Sequence, residues 1–429
     1  LWKHHAAQPQ AERIRRVLTD REPEWFDRYG YSVSSEWLFP KLLQIYEEDR
    51  EVFDAVDCFL EAADYIVYLL AGRITRNLST LGVNAFYSPR WGYPEPSLLE
   101  AFADGFSSVL QKLGGSVVPV GTRVGTLGKD IAAQLGLPES VVIAAGHGDS
   151  EIAAAGLGIT EPGTMLMVMG TSTCYQMLHT QENPFRGVCS VVDGGMLPGL
   201  FAYESGQPAV GDLFAWFANN LLPARSLREA EALGLSPLQY QSQRCGSARP
   251  GASGLIALDW FNGNRSVLMN SDLRGSILGL SLQTRPEDVY RSLVEATAFG
   301  ARRIIRSYVD AGIPINRVVA VGGLAQKSAE IMQIYADILG RAVFVPDVGN
   351  ASLMGGCVCA TVALEASVAS IQAFSQVCAR MVNYSGRTFE PNPKYTEDCD
   401  RLYALYCMLH DEFGMHPEVF ETLKNIAGK

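Results

Sequence analysis

From residue 317 onward the sequence alternates in one fixed order. An apolar strand over 317–321 leads into Gly322-Gly323, a helical stretch over 326–339, a second apolar strand over 342–345 and a further helix from Ser352. Strand–helix–strand units joined by short turns predict parallel pairing, with the helices packed on the sheet. Ligands of such sheets sit at the carboxyl ends of the strands. Two glycines at that end let a ligand approach the backbone, and the following helix presents its positive N-terminus. Double glycines also follow strands in α/β proteins that bind nothing there, so the pair alone leaves both readings open.

Three other segments place polar residues where an apolar run ends. In MLMVMGTSTCYQML, residues 165–178, the run stops at Gly170 and gives way to Thr171-Ser172-Thr173. Gly, Ser and Thr suit a hairpin turn, and equally a cradle in which N–H groups and hydroxyls converge on phosphate. In AAGHGDS, Asp149 follows an apolar strand over 141–145, placed as a general base or as the N-cap of a helix opening near Ser150. In FAYESGQPAVGDLFAWF, Glu204 lies between aromatics and a Gly-Gln pair, where it could orient sugar hydroxyls or cap the helix running through 213–217. Trp216 and Phe217 read as core. There is no GxxxxGK[ST], since Gly128-Lys129 is followed by Asp130, and no GxGxxG after a strand, GxSxG or HExxH.

The rest of the chain sets limits. A length of 429 residues predicts two or three domains, with a boundary near 156–163, where GLGITEPG interrupts the pattern. Residues 1–75 read as packed helices, 77–93 as irregular, and 129–135 as a short helix. The acidic run 47–51 reads as a solvated helix face. Thr284-Arg285-Pro286-Glu287 reads as a capping box opening a long helix, within which Gly300 predicts close packing. The net charge of −11 argues against nucleic acid, and no run has the length of a membrane span. Nine scattered cysteines without CxxC pairs read as reduced thiols of a cytoplasmic protein, with Cys58, Cys174, Cys189, Cys357, Cys359 and Cys407 in apolar surroundings. The six histidines form no ligand-spaced set, so no protein metal centre is expected.

Taken in order, these segments resemble the FGGY family of carbohydrate kinases, and within it the ribulokinases. The resemblance runs through LWKHHAAQPQAERI, EWLFPKLLQIYEEDREVFDAVDCFLEAADYIVYLLAGRITRN, MGTSTC, YESGQPAVGDLFAWF, GLIALDWFNGNRSVL, EATAFGARRII and GGLAQKS. It implies an α/β actin-like ATPase (ribonuclease H-like) fold of two domains around a central cleft, over 1–157 and 158–429. It also implies transfer of the γ-phosphate of Mg-ATP to the 5-hydroxyl of L-ribulose, as in arabinose catabolism. By the same resemblance Asp149 accepts the hydroxyl proton, and Glu204, Asn84 and Lys3 contact the sugar. Gly170, Thr171 and Ser172 face the terminal phosphates. Gly322, Gly323, Gln326 and Gln333 lie in the adenosine segment, and Gly355 in the next adenosine-facing turn. The cofactors implied are ATP and Mg2+, and a homodimer is compatible with the family.

Three departures qualify the match. The family opens with an Asp-x-Gly-Thr hairpin that contacts phosphates and metal, whereas Leu1 matches a point inside the first domain, leaving that domain incomplete in this sequence. Ribulokinases carry Thr-Ala-Gly-Tyr-Lys where this chain has Thr80-Leu81-Gly82-Val83-Asn84, which exchanges a charge for an amide. Leu353-Met354 replace small residues beside the nucleotide. Two alternatives follow: a kinase for another ketopentose or polyol, such as D-ribulose or xylulose, and a non-catalytic remnant that binds sugar or nucleotide.

Overall fold

The computed structural model describes residues 4, 6–245 and 248–427. The chain forms two compact units, each built from three segments. The first takes the chain up to Pro162, with Met177–Tyr203 and Asn350–Asn383; the second takes Gly163–Gln176, Glu204–Gly349 and the chain from Tyr384. A single division at 157 therefore does not describe the contacts. The strands Thr173–His179 and Phe201–Gln207 each begin in one unit and end in the other.

In the first unit the helices Gln8–Arg21, Leu38–Glu48, Arg50–Ala55 and Ala62–Ala71 form where the apolar spacing predicts. The first three turn Ile14, Leu18, Phe39, Leu43 and Phe53 into one core with Phe86, Leu99 and Phe106. Phe86 is its hub, edge-on to Tyr29 at 4.9 Å and stacked on Phe39 at 6.0 Å between ring centroids. The acidic run is solvated as expected, all five residues being exposed, but it spans a helix junction. Asp49 ends the helix Leu38–Glu48, and its side chain caps the next by accepting from Val52 N at 3.2 Å.

The stretch 77–93 is not wholly irregular. Leu78–Asn84 is helical, opened by Asn77, whose side chain accepts from Thr80 N at 2.9 Å. Gly82 lies inside this helix because a Cβ there would sit 2.1 Å from Val192 Cγ1. The unit also holds two small sheets: Thr75–Asn77 pairs in parallel with Ser116–Val118, and Arg123–Thr126 antiparallel with Val142–Ala144.

The second unit is organised on the strand Thr164–Met169. Arg317–Val321 lies parallel to it, Val343–Pro346 parallel to that, and Gly386–Phe389 antiparallel at the edge. On the other side comes the antiparallel Thr173–His179, then Phe201–Gln207. Central strands covered on both faces need apolar side chains throughout, which is why TMLMVM and RVVAV do not alternate.

The long helix is Pro286–Asp310, but its cap sits one residue later than the sequence predicts. Asp288, not Glu287, accepts from Arg285 N at 2.9 Å, while Thr284 Oγ1 accepts from Ser281 N in the preceding turn. Gly300 does mark a close approach, since a Cβ would lie 2.4 Å from Gln207 Nε2 and 2.8 Å from Asp259 Oδ2. Gln207 and Tyr406 both donate to the buried Asp259, at 2.7 Å each. Burial pushes the Asp259 carboxyl up, and these two bonds oppose the shift.

Phe217 is core, but Trp216 is 38% exposed and rests on the Phe261 ring. Cys357 is likewise exposed rather than core; none of the nine cysteines is in a disulfide. Among the described residues no helix is long and apolar enough to cross a membrane.

Candidate active site

In the first unit the strand Val142–Ala144 ends in the loop that carries Asp149. The helix beyond it is Ala153–Gly156, with Ile152 at its N-cap position and no side-chain cap. Asp149 is therefore not the cap. Its residue is exposed, and its carboxylate makes no hydrogen bond or ion pair among the described residues. Its backbone is held instead: Ser352 Oγ donates to the Asp149 carbonyl at 2.6 Å. That contact was not legible in the sequence, because Ser352 is two hundred residues away and reads as an ordinary helix start. Beside the loop, His147 Nε2 meets Met196 O at 3.1 Å, and burial lowers the imidazole pKa.

Asn84 closes the helix Leu78–Asn84. Its Nδ2 donates to Glu61 Oε1 at 3.2 Å, and its Oδ1 is buried without a partner. Burial raises the Glu61 carboxyl, the Asn84 bond opposes that shift, and the nearby Asp64 adds to it. Lys3 lies outside the described residues.

In the second unit the 170–173 segment is the tip of the hairpin joining Thr164–Met169 to Thr173–His179, closed by Gly170 N donating to Ser172 O at 2.8 Å. Gly170 and Thr171 are exposed and Ser172 half-buried. Three amides fix the tip from outside: Val210 N and Asp212 N donate to Thr171 O at 2.9 and 3.1 Å, and Gly211 N to Gly170 O at 3.1 Å. A Cβ on Gly211 would lie 2.5 Å from Gly170 O. Gly211 is thus a positioning residue that the sequence reading missed; a glycine opening a helix was its only signal.

Gly322 presses on the same hairpin from the end of the strand Arg317–Val321. It holds φ +99°, and a Cβ there would meet Met169 O at 2.3 Å. The short helix Gly323–Lys327 follows, and Gln326 Nε2 donates to Pro346 O at 2.6 Å, joining the carboxyl ends of two parallel strands. Gln333 is on the next helix, Ala329–Leu339, where its amide bonds Asp337 Oδ1 at 2.9 Å and Glu390 O at 2.8 Å. Glu204 is on the strand Phe201–Gln207, almost buried. It does not cap the helix Gly211–Asn220, which opens at Val210 without a side-chain cap.

Gly355 departs from expectation. It lies inside the helix Ala351–Glu365, not in a turn, and belongs to the first unit. A Cβ there would come within 2.0 Å of Ile152 O, and one on Gly156 within 1.9 Å of Ala351 O. The two glycines let the helices Ala153–Gly156 and Ala351–Glu365 touch backbone to backbone. Leu353 and Met354 are on the same helix, with Leu353 69% exposed.

The second unit thus gathers the hairpin tip, Gly211, Gly322 and Gln326 at the carboxyl ends of parallel strands, where anionic ligands of such sheets bind. Comparison with known proteins gives this arrangement a family. The C-terminal domain of the FGGY family of carbohydrate kinases matches residues 165–364. Ribulokinase of Anoxybacillus flavithermus is 40% identical over 427 residues, covering 99% of this chain and 76% of that protein. Ribulokinase of Shouchella clausii is 40% identical over 431 residues, covering 100% of this chain and 77% of that one.

Among solved structures, xylulose kinase from Rhodospirillum rubrum superimposes with a TM-score of 0.78 at 23% identity, over 95% of this chain and 78% of that one. Glycerol kinase of Plasmodium falciparum, solved with ADP, gives a TM-score of 0.71 at 16% identity over 92% and 77%. These two likenesses show the fold, the two-domain actin-like ATPase fold of sugar kinases. The chain belongs to the FGGY family of carbohydrate kinases, which phosphorylate sugars with ATP as donor.

Proposed function

We propose that the chain transfers the γ-phosphate of ATP to the 5-hydroxyl of L-ribulose, with Asp149 as the general base. The observation that carries this reading is the Asp149 carboxylate, exposed at the end of a strand and unengaged, on a backbone held by Ser352. A carboxylate without a cation or donor beside it is free to accept a proton from a bound alcohol. Phosphoryl transfer otherwise needs positioning and charge neutralisation more than covalent chemistry.

In this reading Asn84 and the base hold the sugar, a role that the family resemblance also implies for Glu204 and Lys3. The second unit holds the nucleotide, with Gly170, Thr171 and Ser172 at the phosphates and Gly322, Gly323 and Gln326 at the adenosine. Mg2+ carried on the ATP phosphates would supply charge neutralisation. Such an ion keeps several waters and needs few protein ligands, and the Thr171 and Ser172 hydroxyls are oxygen donors suited to it. Nine cysteines outside any disulfide support a reducing, cytoplasmic setting. A homodimer is compatible with the reading.

One observation favours a second sugar. Asn84 offers a neutral carbonyl oxygen, its amide nitrogen being engaged by Glu61, so the subsite accepts a hydrogen bond where a lysine would donate one. The deciding experiment is ADP release by the purified chain with Mg-ATP and L-ribulose, D-ribulose, xylulose or glycerol. Release that depends on L-ribulose is the expected result. A clear preference for D-ribulose or xylulose would transfer the assignment to that sugar. No release with any sugar, from a chain shown to be folded, would reduce the protein to a binding remnant.

A further inference from the structure

The amino ends of the parallel strands in the second unit hold a cavity of about 350 Å3, lined by Asn316, Arg317, Arg341, Phe344 and Thr388 among others. Gly322 marks the opposite, carboxyl end of the strand Arg317–Val321, about 17 Å away at the rise of an extended chain. The cavity is therefore not part of the nucleotide turn.

Neither of its two arginines is paired with an acid among the described residues. Arg302, Arg303 and Arg306 each pair with an aspartate, Asp400, Asp411 and Asp310 respectively. Arg317 has no ion pair or side-chain hydrogen bond among the described residues; its guanidinium lies over the Phe344 ring, 4.8 Å from the centroid. Stacking on a ring face leaves all five N–H donors at the guanidinium edge. Arg341 gives Nη1 to Ile315 O at 2.8 Å and keeps Nη2 and Nε free of any acidic partner. In a chain of net charge −11, two unneutralised guanidiniums lining one cavity form a local positive site.

The pocket is open, with Asn316, Arg317 and Thr388 exposed, and its backbone is held in place. Asn316 N and Arg317 N both donate to Gly163 O, at 2.8 and 3.1 Å, and Phe344 faces Thr388 across the edge ladder.

We propose that this cavity binds a phosphate monoester, with Arg317 and Arg341 on the phosphate oxygens and the ester body against Phe344 and Thr388. The arginine fork matches a tetrahedral oxyanion through paired N–H bonds. The volume exceeds what bare phosphate fills and suits a body the size of a small sugar.

The test is calorimetric titration of the full chain with ribose 5-phosphate, in saturating ADP to occupy the nucleotide site, beside the double variant Arg317→Ala, Arg341→Ala. Wild type is expected to bind at least ~10-fold tighter than the variant, as for loss of charge-assisted bonds. Its binding should also weaken as NaCl rises from about 50 to about 300 mM. Kinase turnover measured without ribose 5-phosphate should be the same in both proteins. Inorganic phosphate should bind more weakly than the monoester; equal binding would overturn the assignment of an ester ligand. Equal affinity of wild type and variant, or no binding to wild type, would overturn the site itself.

Discussion

A Cβ on Gly322 would meet the carbonyl oxygen of Met169 at 2.3 Å, and the Gly322 backbone sits at φ +99°. Either condition alone excludes a side chain, so the strand end and the hairpin share a gap that fits only hydrogen. Gly322→Ala should therefore shift the tip 170–172 and raise the KM for ATP by ~10-fold or more, with a smaller change in the sugar KM. Measuring both constants on a variant of normal melting temperature decides the matter; an unchanged ATP KM would remove Gly322 from the nucleotide site.

Asp149→Asn keeps the size of the side chain and removes its capacity to take a proton. Turnover should fall by at least ~100-fold while the dissociation constant for ATP holds. Near-normal turnover would sink the base assignment.

Asn84→Ala removes both the bond to Glu61 and the buried acceptor Oδ1. A lost hydrogen bond of this kind corresponds to about 1 kcal/mol, so the sugar KM should rise roughly 5- to 10-fold with the ATP KM unaltered. Steady-state kinetics with each substrate varied in turn would show whether the change is confined to the sugar.

Gly355→Ala separates packing from ligand binding. Its Cβ would strike Ile152 O, so unfolding should be easier by about 1–3 kcal/mol, the usual cost of overpacking. Nucleotide affinity of the folded fraction should stay as in wild type. Denaturant melts paired with nucleotide titrations read the two effects apart, and lost affinity at full stability would return Gly355 to the adenosine site.

His147 supplies a pH dependence with a definite sign. Burial holds its folded pKa below the ordinary 6.5, so the unfolded chain takes up the proton first. Stability from this group is full above about pH 6.5 and declines as pH falls toward the folded pKa. Between pH 7.5 and 5.5 wild type should lose more stability than His147→Gln, as followed by urea denaturation. Parallel losses would mean that the imidazole does not contribute.

What the sequence made legible was the part whose structure is set locally. The β-α-β-α order after residue 317 is readable because buried parallel strands must be apolar along their whole length. The helix Lys129–Leu135 is readable from its own spacing. The helix Leu78–Asn84 was hidden, because Gly82 answers to the distant Val192 and the Asn77 cap resembles a loop residue. Gly355 misled for the same reason: its partner, Ile152, lies two hundred residues earlier, and nothing near it in the chain distinguishes a helix contact from a turn. At the candidate site the motifs were readable, but the groups that hold them, Ser352 on Asp149 and the amides of 210–212 on the hairpin tip, were not.

The backbone contact between Gly156 and the helix Ala351–Glu365 also orders events on the ribosome. The first unit lacks a segment until residues 350–383 have been made, although its helices over 8–71 are made long before. At ~5–20 residues per second that interval lasts tens of seconds, during which the small-residue face of Ala153–Gly156 is bare. Chaperone occupancy of the nascent chain should therefore end late, when that helix arrives, and a message cut short before it would yield a product marked for proteolysis.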